Sequence, residues 1–61
     1  MPEKTIDSYS LQMWTEMDEN EKAGVRFGLF PAERMSQAEK DGYDTHKISI
    51  ALMNYADHNG V

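Results

Sequence analysis

The sequence predicts an all-α fold, a small bundle of three to four short helices, on three observations. Helix-start signals stand at Asp18-Glu19-Asn20-Glu21 and at Asp44-Thr45, where a side-chain oxygen can accept from free first-turn amides. Helix-stop signals stand at Pro31, Gly42 and Gly60. Between the last two stops, Ile48, Ala51, Leu52 and Tyr55 recur at i, i+3, i+4 and i+7, the one-sided stripe of an amphipathic helix.

The first element spans Asp7 to Met17. Leu11 with Trp14 and Met13 with Met17 are neighbours at helical spacing, and Asp7, Ser8 or Ser10 would cap the helix. A strand over Ile6 to Trp14 is the competing reading, because Tyr9, Leu11 and Met13 also alternate with polar residues. The second helix is expected over 18–30. Asp18 caps it, Glu21 closes a capping box three positions on, and the acids suit the positive end of the helix dipole. It stops at Phe30 because a proline disfavours helical geometry in the residue before it. Pro31 then opens a third helix, over 31–41, where its missing amide costs nothing, and Gly42 ends it. The last helix runs over 45–58, with Asn59-Gly60 as its left-handed terminator.

These elements form a single domain of 61 residues, with residues 1–7 expected to be frayed. A chain of this length buries only about 60% of the surface its unfolded form exposes, so one core supplies about 3–5 kcal/mol. With no cysteine, disulfides and thiolate zinc sites are excluded as staples, which leaves oligomerisation or partner docking. The missing cysteines fit a reducing compartment, and Met1-Pro2-Glu3-Lys4-Thr5 lacks the apolar stretch of a secretory signal, so a cytoplasmic location is expected. No run of about 18 apolar residues is available to span a membrane.

Helical projection exposes a conflict. At about 100° per residue, Ala23, Phe27 and Phe30 share one face of the 18–30 helix, whereas Val25 and Leu29 lie nearly opposite. Gly24 and Gly28 fall on a third strip, where another backbone could approach closely. On the last helix, Ile50 and Met53 lie across from the main stripe. The expected core is Phe27, Phe30, Ile48, Leu52 and Tyr55, and the second stripes are expected to meet something outside it. Single exposed apolar residues are ordinary, but two helices with the same two-sidedness in a chain short of core point to an intermolecular surface.

Little here supports catalysis. The two histidines, His46 and His58, are twelve residues apart on one helix and on different sides, and the adjacent Asp57-His58 pair diverges by about 100°, so no metal site is expected. No nucleophile-elbow motif surrounds Ser8, Ser10, Ser36 or Ser49, and Gly24-x-x-x-Gly28 lacks the Gly-Lys-Ser/Thr of a phosphate loop. No enzyme activity and no cofactor are expected.

Ala38, Gly42 and Ile48 occupy the small, turn and core positions of a helix-turn-helix. Against it, Gln37 and Asp41 stand where apolar residues are usually buried, and the second helix offers only Thr45, His46, Lys47 and Ser49 to a groove. A net charge of −5 opposes a phosphate backbone, so nucleic acid is not the expected partner and a DNA-binding regulator is the alternative function. The leading expectation is a non-enzymatic protein-binding module, a small acidic regulator or inhibitor. By analogy with small acidic products of phages and mobile elements, it would dock on a host protein, with a basic surface as one candidate, or form a homodimer. The residues expected to carry binding are Trp14, for which a core position is the competing reading, the acids Glu16, Asp18, Glu19 and Glu21, the cation Arg26, and Ile50 with Met53.

Overall fold

Thr5 is extended, and its Oγ1 accepts from the Ser8 amide at 3.0 Å, which starts the first helix one residue later. The structure, a computed structural model, describes residues 4–58. Its elements are α1 (Ile6–Glu16), α2 (Glu19–Val25), α3 (Ala32–Lys40) and α4 (Thr45–His58), with no strand among the described residues. The all-α expectation holds, and the strand reading of Ile6 to Trp14 does not. The cap is Thr5 rather than Asp7, Ser8 or Ser10, so α1 begins inside the stretch expected to be frayed. Just before it, the Lys4 backbone amide donates to the Tyr43 hydroxyl at 2.9 Å, and Lys4 Nζ donates to Gln12 Oε1.

Met17 is extended and separates α1 from α2, with its amide still bonded to the Met13 and Trp14 carbonyls. Asp18 caps α2 through the expected capping box. Its carboxylate accepts from the Glu21 amide at 2.8 Å, and the Glu21 carboxylate accepts from the Asp18 amide at 3.2 Å.

The expected 18–30 helix ends early, at Val25. Gly28 adopts φ 79°, its amide donates to the Val25 carbonyl at 3.0 Å, and the Leu29 amide donates to the Gly24 carbonyl at 2.9 Å. This is a Schellman ending, and glycine is the residue that takes the left-handed position without steric cost. Gly28 is therefore a terminator rather than part of a helical strip. The backbone that approaches Gly24 belongs to this same chain: a Cβ there would lie 3.3 Å from the Leu29 carbonyl oxygen.

Pro31 is the extended N-cap of α3 rather than its first helical residue, so the helix starts one position later than expected, and it ends in a second Schellman turn. Gly42 has φ 90°, its amide bonds the Glu39 carbonyl, and the Tyr43 amide bonds the Ala38 carbonyl at 3.0 Å. This turn brings Tyr43 into the core, where its ring stacks on Tyr9 with centroids 4.0 Å apart. Asn59-Gly60, the expected terminator of α4, lies outside the described residues.

Helix α4 is the element against which each of the others packs. Its stripe behaves as read: Ile48 and Leu52 are fully buried, Ala56 extends the buried row, and Tyr55 is partly buried. Phe30 is partly buried against this core, but Phe27 is 81% exposed, which corrects its assignment to the core. Because α2 stops at Val25, Phe27 is never placed on a helical face; Val25, expected on the opposite side, is the buried residue instead. From α1 the core also takes Met13, Trp14 and, just beyond the helix, Met17, while Ala38 joins it from α3.

Candidate functional site

The residues expected to bind a partner separate into three groups with different fates. Trp14 is buried, only 6% exposed, so it is a core residue and unavailable as an anchor. The period of α1 places Ser10, Met13 and Trp14 on one face toward the interior, with Met17 buried just past the helix end. The Trp14 indole meets the Tyr55 ring at 6.0 Å between centroids, and Lys22 Nζ stands 5.3 Å from the Trp14 ring centroid, a cation–π contact.

The acids form a structural knot around Arg34. Arg34 Nε donates to Glu21 Oε2 at 3.0 Å, its Nη2 donates to the Glu16 backbone carbonyl at 3.1 Å, and its Nη1 lies 3.7 Å from Glu16 Oε1. One guanidinium therefore ties the end of α1 to the start of α2 from its position on α3. The Arg34 hydrogen bond, followed by that from the Asp18 amide, holds the Glu21 carboxyl below the usual glutamate range, and the same pairing raises Arg34. Asp18 is committed to its capping bond, which leaves Glu19 as the one acid of this segment without a side-chain role in the knot.

The third group is apolar or adjoins apolar residues. Arg26 is exposed and follows α2 directly; after it, Phe27 and Leu29, 81% and 69% exposed, flank Gly28 in the Schellman turn. On the outer side of α4, Ile50 and Met53 are 50% and 42% exposed, as the second stripe required. The sequence reading missed the Phe27-Gly28-Leu29 display. Gly28, three residues before Pro31, was the signal that the helix stops before Phe27 can join a helical face.

In the α3-turn-α4 unit, Ala38 and Ile48 are fully buried and Gly42 is left-handed, as the three positions singled out for a helix-turn-helix require. Its second helix nevertheless presents Ile50, Met53 and Asp57 outward, with Lys47 as its one lysine or arginine. Among the described residues, no group of three or more His, Cys, Asp or Glu is arranged to hold a metal ion. Nor, among the described residues, is any helix long and apolar enough to cross a membrane. Compared with protein-family models, curated proteins and solved structures, the chain matches none of them.

Proposed function

We propose that the chain is a non-enzymatic protein-binding module, a small acidic regulator or inhibitor that docks on another protein through apolar side chains its own fold leaves outside the core. The observation that carries this reading is the Phe27-Gly28-Leu29 turn. Two large apolar side chains project into solvent from a backbone locked by the Leu29 amide to Gly24 carbonyl bond, so little ordering entropy remains to be lost on binding. Arg26 beside them supplies a charged group of the kind enriched at binding hot spots. A basic partner surface is a weaker element of the proposal, because Arg34 already engages Glu16 and Glu21.

The test compares the wild-type chain with Phe27→Ser/Leu29→Ser as affinity baits, after circular dichroism has shown both to be folded. A protein recovered by the wild type, lost with the variant and then bound by the wild type as a purified component supports the reading. Identical recoveries with both baits refute it.

A DNA-binding regulator is the second reading, favoured by the Ala38, Gly42 and Ile48 geometry. The net charge of −5 and the apolar outer side of α4 weigh against it, and the proposal here is that duplex DNA is not bound appreciably at physiological salt. Anisotropy titration with mixed-sequence duplex that gave sub-micromolar, salt-sensitive binding would reverse the order of the two readings.

A further inference from the structure

The outer side of α4 carries a pattern that single exposed residues do not. His46, Ile50, Met53 and Asp57 are all exposed, and their spacing of four, three and four is that of a coiled-coil seam. At about 100° per residue, the four side chains fall within an arc of about 60°. The pattern is also self-complementary under reversal. Position numbers 46 and 57 have the same sum as 50 and 53, so a two-fold axis midway between Ile50 and Met53 exchanges the members of each pair.

We propose that a second copy of this chain covers this face, with the two α4 helices antiparallel about that axis. Ile50 of one copy then packs on Met53 of the other, and His46 meets Asp57 at both ends of the seam. An imidazole N–H can donate to a carboxylate whether or not the ring carries a charge, so the end contacts are complementary in either state. The flanking positions bring Lys47 toward Asn54 of the second copy and create no like-charge pair. A parallel arrangement does the opposite, placing Asp57 against Asp57 and His46 against His46. The interface is isologous, as a two-fold requires.

Helix α4 has 14 residues and is about 21 Å long, so the contact is at the small end of specific interfaces and the dimer is weak and exchanging. This inference rests on the docking reading above, because it assigns an occupant to apolar surface outside the core. It uses α4 and leaves the Phe27-Leu29 turn free for a different protein. It also conflicts with the DNA reading, since the same face of α4 would have to enter the groove.

The absence of native cysteine makes the test direct. His46→Cys and Asp57→Cys chains are prepared separately and oxidised with glutathione disulfide, alone and as an equal mixture. In the antiparallel dimer, two copies of residue 46 lie about 16 Å apart along the axis, as do two copies of residue 57, beyond the reach of a disulfide. Cross-linked dimer is therefore expected to be enriched several-fold in the mixture over either chain alone. In parallel, sedimentation of the wild type from about 10 µM to about 1 mM should show the mass rising from 7.0 kDa toward twice that value. Met53→Asp, at an exposed position, should weaken association at least about tenfold with an unchanged helical spectrum. Cross-linking of the single-variant chains as efficiently as the mixture would overturn the antiparallel arrangement. A wild type that stays monomeric throughout the range would overturn the dimer, while the Phe27→Ser/Leu29→Ser comparison, which leaves α4 untouched, decides the docking reading separately.

Discussion

Replacing Ser10 by alanine is expected to stabilise the protein. Ser10 is fully buried among the core residues of α1, and its Oγ has no hydrogen-bond partner, the one such buried side-chain atom among the described residues. A hydroxyl taken out of water without a partner costs about 1–3 kcal/mol, and that cost disappears with the oxygen. Alanine also has a helix propensity better than that of serine by about 0.5 kcal/mol in the middle of a helix. Against these gains stands the space left by one oxygen, about 10 Å³, which at about 24 cal/mol per Å³ costs about 0.2 kcal/mol. The balance is a gain of about 1–3 kcal/mol, a substantial part of the stability a chain this small can have.

In a domain of this size, each kcal/mol moves the midpoint by about 4–8 °C, so Ser10→Ala should raise Tm by at least about 4 °C. Thermal melts followed at 222 nm, with urea titrations at 25 °C to check that the m-value is unchanged, measure the effect. A fall in Tm would refute the reasoning, because it would mean that the hydroxyl has a partner whose loss outweighs the desolvation cost.

Three further perturbations test other parts of the fold. Leu52→Ala removes a fully buried side chain from the helix every other helix contacts and should cost about 2–5 kcal/mol, enough to abolish the cooperative melt. Gly28→Ala should cost about 1 kcal/mol through its positive φ alone, since no atom lies within 4 Å of the added Cβ, whereas Gly24→Ala should leave Tm nearly unchanged because its propensity gain meets the Leu29 carbonyl. The depressed carboxyl of Glu21 contributes stability that is present above the ordinary glutamate range and lost as pH falls through its lowered folded value. The Tm difference between wild type and Glu21→Gln should therefore be largest near neutrality and close below about pH 4, and a difference constant from pH 7 to pH 3 would count against the Arg34 pairing.

What could be read from the sequence was what neighbouring residues decide. The capping box at Asp18 and Glu21, the proline before α3, the terminator Gly42 and the Ile48-Leu52 stripe are local, and each appears in the structure. The misreadings arose where two local signals competed or where a distant partner decided. Phe27 and Phe30 extended an apparent helical period across Gly28, and the left-handed turn with its two backbone bonds prevailed. Trp14 offered both a core and an interface reading, and α1 could resolve it only once packed on α4. Thr5 caps α1 next to a residue held by Tyr43, a contact 39 positions away in sequence. Arg34 was legible as a cation but not as the group joining Glu16 and Glu21.

The fate of the carboxylates bears on the kind of partner that the docking proposal calls for. Among the described residues, five acids work inside the fold: Glu16 and Glu21 hold Arg34, Asp18 caps α2, Asp41 accepts from Tyr9 and Gln37, and Asp44 accepts from the His46 amide. A domain with so little core uses these side chains to close helix ends and join segments, and a carboxylate held in that way is less free to imitate a nucleic-acid phosphate. The apolar groups follow the opposite course. Val25, Ile48 and Leu52 are fully buried, while Phe27, Leu29, Ile50 and Met53 remain at the surface although the fold needs burial. Under the proposed docking reading, a chain that engages several of its carboxylates internally and leaves large apolar side chains in water would meet its partner through apolar contact rather than through charge.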